Sequence, residues 1–382
     1  MRTDVHGGLE AVPDLVWEHL AEQDFYGQRP WIEYQAAAAG VKVFFIVVTD
    51  DRGAVRAAAP AYLVDHETSG RYVPLFPRTD GRRPAPLLLV GGRRGHRSSL
   101  GIDADDPRIA EIVPALVDGV VDLSLETGAG DVWCMFLDSP TAEALAEDPR
   151  ISGPHLQAGD ATAPLPGRDF SDYMDSLTKK GRARVRADRR HFQGARRSVE
   201  ERRLSDVVDV MSEVLTDHQA SHGSPASVDS MRSLLEGQAE HCDASSRVFS
   251  SWDGRTPVAA TLTYSSVHEV SSRAYGVRAG RADEACDYFE LTYYRPAELA
   301  YAQGARALHL GIGTLRTKTR RGALVGLRWA CALGVREDRA LRHRRNEQVM
   351  SRIVDDLGGS AAALDELSHE AAARHGAVLD RG

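Results

Sequence analysis

The sequence has few cysteines and no long apolar run. Its four cysteines (Cys134, Cys242, Cys286 and Cys331) are scattered without zinc-ligand spacing, which predicts buried free thiols instead of a disulfide framework or a metal site. No stretch approaches the about 18 apolar residues that a membrane-spanning helix requires. The first residues also lack the basic and apolar regions of a signal peptide. These absences predict a cytoplasmic protein without a membrane span.

Length and composition indicate a globular protein of two domains. The chain has 382 residues, of which 42% are hydrophobic and 27% are charged. This length fits two domains of about 150–200 residues each. A segment rich in Pro, Gly and Ala at 159–167 separates two halves, so we predict domains at 1–160 and 168–382.

Basic residues are concentrated in one segment of an acidic chain. The formal net charge is −8, yet residues 178–203 contain eleven Lys or Arg against three acidic residues, a local balance of +8. The pattern predicts a basic helix in 178–203, within a longer or broken helix that starts at Asp169. Such a helix either contacts the phosphates of a nucleic acid or another polyphosphate, or is a solvated surface helix with i,i+4 ion pairs.

The second half alternates elements in an informative order. Helices at 204–222 and 228–238 precede three short strands at 246–252, 257–264 and 269–277, then a helix at 283–303 and a last strand at 307–312. This is the order of the GNAT acyltransferase core. The predicted fold class is α/β (α+β), with tandem GNAT-like domains whose mixed, largely antiparallel sheets are flanked by helices.

Five stretches carry a resemblance to a known family: Ala57–Tyr72, Asp131–Leu137, Phe170–Arg190, Tyr288–Arg295 (YFELTYYR) and Gly311–Gly322 (GIGTLRTKTRRG). They resemble FemAB-like proteins of the GNAT superfamily, in the branch of peptidoglycan biosynthesis/recognition proteins. The family usually has a Gly-x-x-Gly-Glu-His-Lys loop at the last stretch. Here the Glu and His are missing, so the loop keeps a cationic role but no acid/base role.

The resemblance implies that an acyl donor lies in the opening between the strands 269–277 and 307–312, where backbone amides of the first strand stabilise the oxyanion. A CoA-dependent member has a Gly-rich turn after that strand. Here residues 277–284 contain one glycine, and Asp283 and Glu284 would repel a pyrophosphate. An aminoacyl-tRNA, the other donor in FemAB-like proteins, is therefore preferred, and acyl-CoA is the alternative. No cofactor and no metal ion are predicted.

The candidate site residues fall into three groups. Glu290 lies among aromatic residues, and partial desolvation there suits a base that accepts a proton from an amine; its alternative is a surface or ion-paired glutamate. His309 is a base or, in a buried strand, a hydrogen-bonded core histidine. The catalytic candidates are Glu290, His309 and Tyr294, and the donor or tRNA-binding candidates are Lys179, Lys180, Arg182, Arg186, Arg189, Arg190, Lys318, Arg320 and Arg321. The substrate-binding candidates are Trp31, Tyr34, His66, Glu67, Tyr72, Arg273, Tyr275, Gly311 and Gly313.

Three functions remain open at the level of sequence. The preferred one is transfer of an aminoacyl group from aminoacyl-tRNA to the amine of a small molecule or peptide, either in antibiotic biosynthesis or on a cell-wall precursor. The second is acyl transfer from acyl-CoA by the same fold. The third is a non-catalytic module that recognises a cell-wall fragment or RNA.

Overall fold

A computed structural model describes residues 1–75, 86–224, 227–281, 285–335 and 338–374. In chain order, the elements of the first half are β1 (Arg2–Gly7), α1 (Asp14–Ala21), α2 (Arg29–Ala36), β2 (Val41–Thr49), β3 (Val55–Val64), β4 (Leu87–Val90), α3 (Ile109–Thr127), β5 (Asp131–Leu137), α4 (Ser139–Ala146) and β6 (Ile151–Pro164). The next elements are α5 (Phe170–Ser176), α6 (Lys179–Gly194), β7 (Ser198–Arg202), α7 (Val208–Ser221), α8 (Val228–Cys242), β8 (Ser246–Asp253), β9 (Thr256–Ser265) and β10 (Glu269–Val277).

A π-helical turn then joins two short helices. The elements here are α9 (Asp287–Phe289), the π segment (Glu290–Tyr294) and α10 (Arg295–Gln303). They are followed by β11 (Ala307–Ile312), α11 (Leu315–Thr319), β12 (Leu324–Leu333), α12 (Arg339–Leu357) and α13 (Glu366–Arg374). By their contacts, residues 1–160 and 325–382 form unit 1, and residues 161–324 form unit 2.

Unit 1 is a mixed sheet whose strands follow the order β1-β2-β3-β4-β5-β12, with the first part of β6 next. Strands β2, β3 and β4 pair antiparallel, whereas β4 pairs parallel with β5 through Leu87–Leu89 and Asp131–Trp133. The inward side chains of these strands are large and apolar, among them Phe45, Tyr62 and Trp133. Their burial removes apolar surface from water and holds the helices against the sheet.

Unit 2 repeats this plan in the strand order β11-β10-β9-β8-β7, next to the end of β6. Strands β8, β9 and β10 form antiparallel hairpins, and β10 pairs parallel with β11. The helix made of α9, the π segment and α10 connects β10 to β11, as a parallel pair requires a crossover. Both units therefore contain three antiparallel strands, a helix and a parallel strand, and the predicted fold class is confirmed.

The segment 169–203 is not one helix. It forms α5, α6 and the edge strand β7, which pairs antiparallel with β8 from Ser198 to Arg202. The Thr178 hydroxyl caps the start of α6 by accepting a hydrogen bond from Gly181 N at 3.1 Å. After Gly194 the alternating residues of β7 join the sheet, so the prediction of a helix to 203 is wrong beyond Ala195.

Two features of the domain division differ from the prediction. Strand β6 continues to Pro164, through much of the segment at 159–167 that we interpreted as a linker. Asp160 is buried there, and its charge is compensated because Arg97 and Arg328 donate hydrogen bonds to its Oδ2, each at 2.8 Å. Residues 325–382 lie in unit 1 instead of the C-terminal domain, because β12 pairs with β5, where Trp329 is opposite Leu137.

Candidate acyl-transfer site and basic surface

Strands β10 and β11 are paired over a short length only. The parallel ladder joins Glu269–Ser271 to Ala307–His309, whereas the antiparallel ladder between β10 and β9 continues to Val277. The register of β10 shifts between Ser272 and Ala274, so Arg273 lies at a β-bulge. Bulges interrupt pairing and redirect side chains next to active sites. The ladder with β11 therefore ends two residues before the bulge of β10.

The π segment supports this part of the strand. The Ser272 hydroxyl donates a hydrogen bond to Thr292 O at 2.8 Å, and the hydroxyls of Thr261 and Thr292 lie 3.1 Å apart. All five residues of the π segment are buried. A single π turn within an α-helix is rare and is frequent at functional sites. Because the π segment is buried and bonded to β9 and β10, it holds Glu290 and Tyr294 in fixed positions in unit 2.

Tyr294 belongs to a polar cluster that also contains the half-buried Asp188 and the buried Arg321. The Tyr294 hydroxyl donates to Asp188 Oδ2 at 2.5 Å, and Arg321 Nη2 donates to the same oxygen at 2.5 Å. The Arg321 guanidinium also lies 3.4 Å from the centroid of the Phe289 ring. Burial raises the pKa of Tyr294 well above its usual value, so the phenol stays protonated. The cluster connects α6, the π segment and the loop after β11.

Glu290 is held between two arginines. Its carboxylate accepts hydrogen bonds from Arg189 Nε at 3.3 Å and approaches Arg295 Nε at 2.9 Å. Arg189 also binds Glu298 at 2.5 Å. These four side chains lie on a cavity of about 640 Å³ whose apolar wall includes Phe192 and Phe249. Glu290 thus takes the ion-paired alternative that the sequence left open, with only 3% of its surface exposed.

Lys318 is buried and fixes the loop after β11. Its ammonium donates to Gly311 O at 2.7 Å and to Ile312 O at 3.2 Å. Gly311 and Gly313 have φ values of 74° and 76°, which glycine adopts without steric cost. Lys318 and Arg321, which is also buried, therefore hold this loop from inside, and Arg320 presents its charge to solvent.

Seven cationic side chains of unit 2 form what we call the basic surface. Five come from α6 and two from the loop and helix after β11: Lys179, Lys180, Arg184, Arg186, Arg190, Arg316 and Arg320. No carboxylate of the described residues lies within ion-pair distance of any of them. The Arg316 guanidinium, followed by desolvation, Arg184 and Arg321, lowers the pKa of Arg320. Like charges are thus gathered here without compensation, as in a surface that binds polyanions.

Four of the predicted donor residues lie outside the basic surface, namely the buried Lys318 described above and three arginines. Arg182 donates to the carbonyl oxygens of Asp175 and Leu177 at 3.1 and 2.5 Å, Arg189 binds Glu290, and Arg321 binds Asp188. Two members of the basic surface, Arg184 and Arg316, were not among the candidates, nor was Asp188. Asp188 is the only acidic residue of α6, and this isolation was a usable signal for a buried ion pair.

The remaining candidates of unit 2 lie on the two parallel strands. His309 is buried opposite Ser271, where the ladder between β10 and β11 ends. Tyr275 lies beyond the bulge and is half-buried. Asp283 and Glu284, on which the argument against CoA rested, lie outside the described residues.

Three of the five candidates in unit 1 are buried side chains. Trp31 and Tyr72 are buried, and the Trp31 indole donates to Arg93 O at 3.0 Å. Glu67 is buried between Arg93 and Arg94, at 2.8 and 2.6 Å. His66 is exposed and Tyr34 is half-buried. Trp31, Glu67 and Tyr72 therefore pack and neutralise charge inside unit 1.

The described residues contain no helix that combines the length and the apolar character needed to cross a membrane.

Comparison with protein-family models and with curated proteins gave no match. Solved structures with the same fold were found. The crystal structure of FemX matches with a TM-score of 0.63 and 11% identity, over 87% of this chain and 97% of that chain. L-PGS from Bacillus licheniformis matches with a TM-score of 0.51 and 11% identity, over 90% and 97%. The C-terminal domain of a putative lysylphosphatidylglycerol synthetase from Agrobacterium fabrum matches with a TM-score of 0.50 and 13% identity, over 91% and 97%.

These matches cover nearly the whole chain at very low identity, so what they establish is the fold. FemX has the GNAT fold, in agreement with the strand order of both units.

Proposed function

We propose that this protein is an N-acyltransferase that transfers an aminoacyl group from aminoacyl-tRNA to the amine of a small molecule or peptide. The observation that carries the proposal is that unit 2 combines two features. One is the parallel pair β10–β11, whose ladder ends at Ser271 and His309 beside a bulge. The other is the basic surface, which has no carboxylate partner among the described residues.

The opening suits acyl transfer because this chemistry requires little from side chains. An ester carbonyl placed beside the bulge at Arg273 would be polarised by backbone N–H groups of β10. The acceptor amine attacks the carbonyl carbon and loses a proton. The new C–N bond forms, the C–O bond to the tRNA ribose breaks, and the ribose oxygen takes up the proton. The rigid support from Thr292 and Lys318 keeps this geometry in place.

The basic surface favours RNA as the carrier of the acyl group. Lys179 and Arg190 are eleven positions apart on α6, about 16 Å at the rise of an α-helix. Cations distributed over such a length match a chain of phosphates better than the compact pyrophosphate of CoA. A solved structure of the same fold carries the name putative lysylphosphatidylglycerol synthetase, and that name denotes synthesis of an aminoacyl conjugate. The FemAB-like resemblance of Tyr288–Arg295 and Gly311–Gly322 supports the same donor.

Incubation with a pool of charged tRNA and a pool of candidate amines, followed by mass spectrometry, tests the proposal. We expect amide products that disappear when the charged tRNA is first treated with RNase. A parallel incubation with acyl-CoA in place of tRNA should give none. A yield that RNase does not change, or products from acyl-CoA alone, would contradict the tRNA donor. Absence of product from either pool would favour a recognition module.

A further inference from the structure

Three aromatic rings, which we call the aromatic cluster, meet beside β10 beyond the bulge. Tyr275 comes from β10, His218 from α7, and Tyr288 from α9. The ring centroids of Tyr275 and Tyr288 are 4.9 Å apart, and those of His218 and Tyr275 are 5.6 Å apart. All three residues are half-buried. Edge-to-face contacts fix their orientation without covering every ring face.

Close packing of α7 on β10 positions His218. A Cβ atom at Gly276 would lie 2.7 Å from Leu215 N, so only glycine lets the helix approach the strand to this distance. His218 follows Leu215 by one helical turn and thereby reaches Tyr275. Ion pairs from Arg278 to Glu213 and Asp217 hold the same two elements together. The aromatic cluster is thus a rigid part of unit 2.

The His218 ring has an unused hydrogen-bonding group. Its Nδ1 is buried and has no hydrogen-bond partner among the described residues. Burial, together with the nearby His222 ring, lowers the pKa of His218, so the ring is neutral at neutral pH and offers one donor and one acceptor. A buried polar atom without a partner is uncommon in a folded protein and calls for an explanation, such as a ligand.

We propose that the aromatic cluster is the binding site for the terminal nucleobase of the RNA donor. This inference rests on the proposed function. In an aminoacyl-tRNA the esterified ribose itself carries that base, so the base and the reacting carbonyl are joined by a single sugar. Tyr275 is two residues from the bulge at Arg273, about 7 Å along a strand. A base that stacks on Tyr275 and Tyr288 therefore accompanies an ester held at the bulge.

The chemistry of the cluster matches a nucleobase better than the arm of CoA. Single-stranded bases bind proteins by stacking on aromatic side chains and by hydrogen bonds to their edges. The tyrosine rings supply the first interaction and the His218 imidazole supplies the second. The pantetheine arm of CoA is a flexible chain without a ring, and its adenine lies at the far end from the thioester.

The test compares two RNA hairpins as probes. One ends in the single-stranded 3′ sequence A-C-C-A, and the other lacks only the base of the last nucleotide. We expect the wild-type protein to bind the intact hairpin about tenfold more tightly, the usual effect of one stacked base. Tyr288→Leu and His218→Leu should each remove most of this ratio, whereas Tyr288→Phe should keep it. Tyr301→Leu, a half-buried tyrosine of α10, is the matched control and should keep it as well.

The ratio is measured within each variant, so a partly unfolded sample lowers both affinities and leaves the ratio unchanged. Equal binding of the two hairpins by the wild-type protein, or an unchanged ratio in Tyr288→Leu and His218→Leu, would overturn the nucleobase site alone. If the wild-type protein binds neither hairpin at low salt, the tRNA donor itself is wrong, and the inference is overturned with it.

Discussion

At Glu290, two guanidinium groups from different elements meet one carboxylate. Arg189 comes from α6 and Arg295 from α10, and both also contact Glu298. These ion pairs join α6 to α10. Removal of one partner leaves the remaining charges without compensation and therefore destabilises the contact between the two helices. The arrangement favours an anchoring role over proton transfer, since a base requires an oxygen that is free to meet the substrate amine.

We therefore predict that Glu290→Gln lowers the free energy of unfolding by about 1–2 kcal/mol. Loss of one partner from a buried pair costs about 3–5 kcal/mol, and partial exposure of both arginines reduces this value. Urea unfolding measures it, with Glu298→Gln as the more exposed control. The pH profile of turnover should keep its shape. If its acidic limb disappears in Glu290→Gln, Glu290 is the catalytic base after all.

Single residues show where prediction from sequence stops. The sequence predicted functional roles for Glu290, Lys318 and Arg321. In the structure Glu290 is bound by Arg189, Lys318 by the carbonyl of Gly311, and Arg321 by Asp188. Each partner depends on how distant elements pack, and helical or strand periodicity contains no information about that. The sequence could therefore predict charged side chains in this region but not which of them are neutralised.

At the scale of elements, α6 separates its cations into two sets. One face packs against unit 2 through Gly181, Val185 and Phe192, and Arg189 next to that face is ion-paired. Arg182 donates to backbone carbonyls before the helix, and the other lysines and arginines of the helix belong to the basic surface. The period of 3.6 residues made the buried stripe predictable. The end of the helix was not, because residues after Ala195 are ordered by pairing of β7 with β8 and not by local propensity.

A charge reversal on the exposed face of α6 tests its role. We predict that the double variant Arg186→Glu, Arg190→Glu loses tRNA retention at low salt, because two phosphate contacts become repulsive. The double variant Arg339→Glu, Arg344→Glu makes the same change of charge on exposed residues of α12 and should retain tRNA. Filter binding over a series of salt concentrations measures both. Equal retention by the two variants would mean that α6 is an ordinary solvated helix.

At the scale of the whole molecule, the chain leaves unit 1 after Asp160 and returns to it at Val325. The sequence predicted the alternation of strands and helices in both halves, and hence the tandem plan. It did not predict the return, because β12 has the same apolar pattern whichever sheet it joins. The pairing of Trp329 with Leu137 and the hydrogen bond from the Trp329 indole to Ser139 Oγ at 3.0 Å decide between the sheets.

Removal of residues 325–382 should therefore unfold unit 1 and leave unit 2 folded. Without β12, strand β5 loses a neighbour, and the core loses Trp329, Ala330 and Ala332, all fully or almost fully buried. We predict that amide protection measured by hydrogen exchange is lost from β5 and kept in β9. Trp329→Ala should give a milder form of the same defect, at a cost of about 3–5 kcal/mol, whereas Leu341→Ala on the exposed side of α12 should cost little. Full protection of β5 in the shortened chain would mean that unit 1 is complete within residues 1–160, as composition alone suggested.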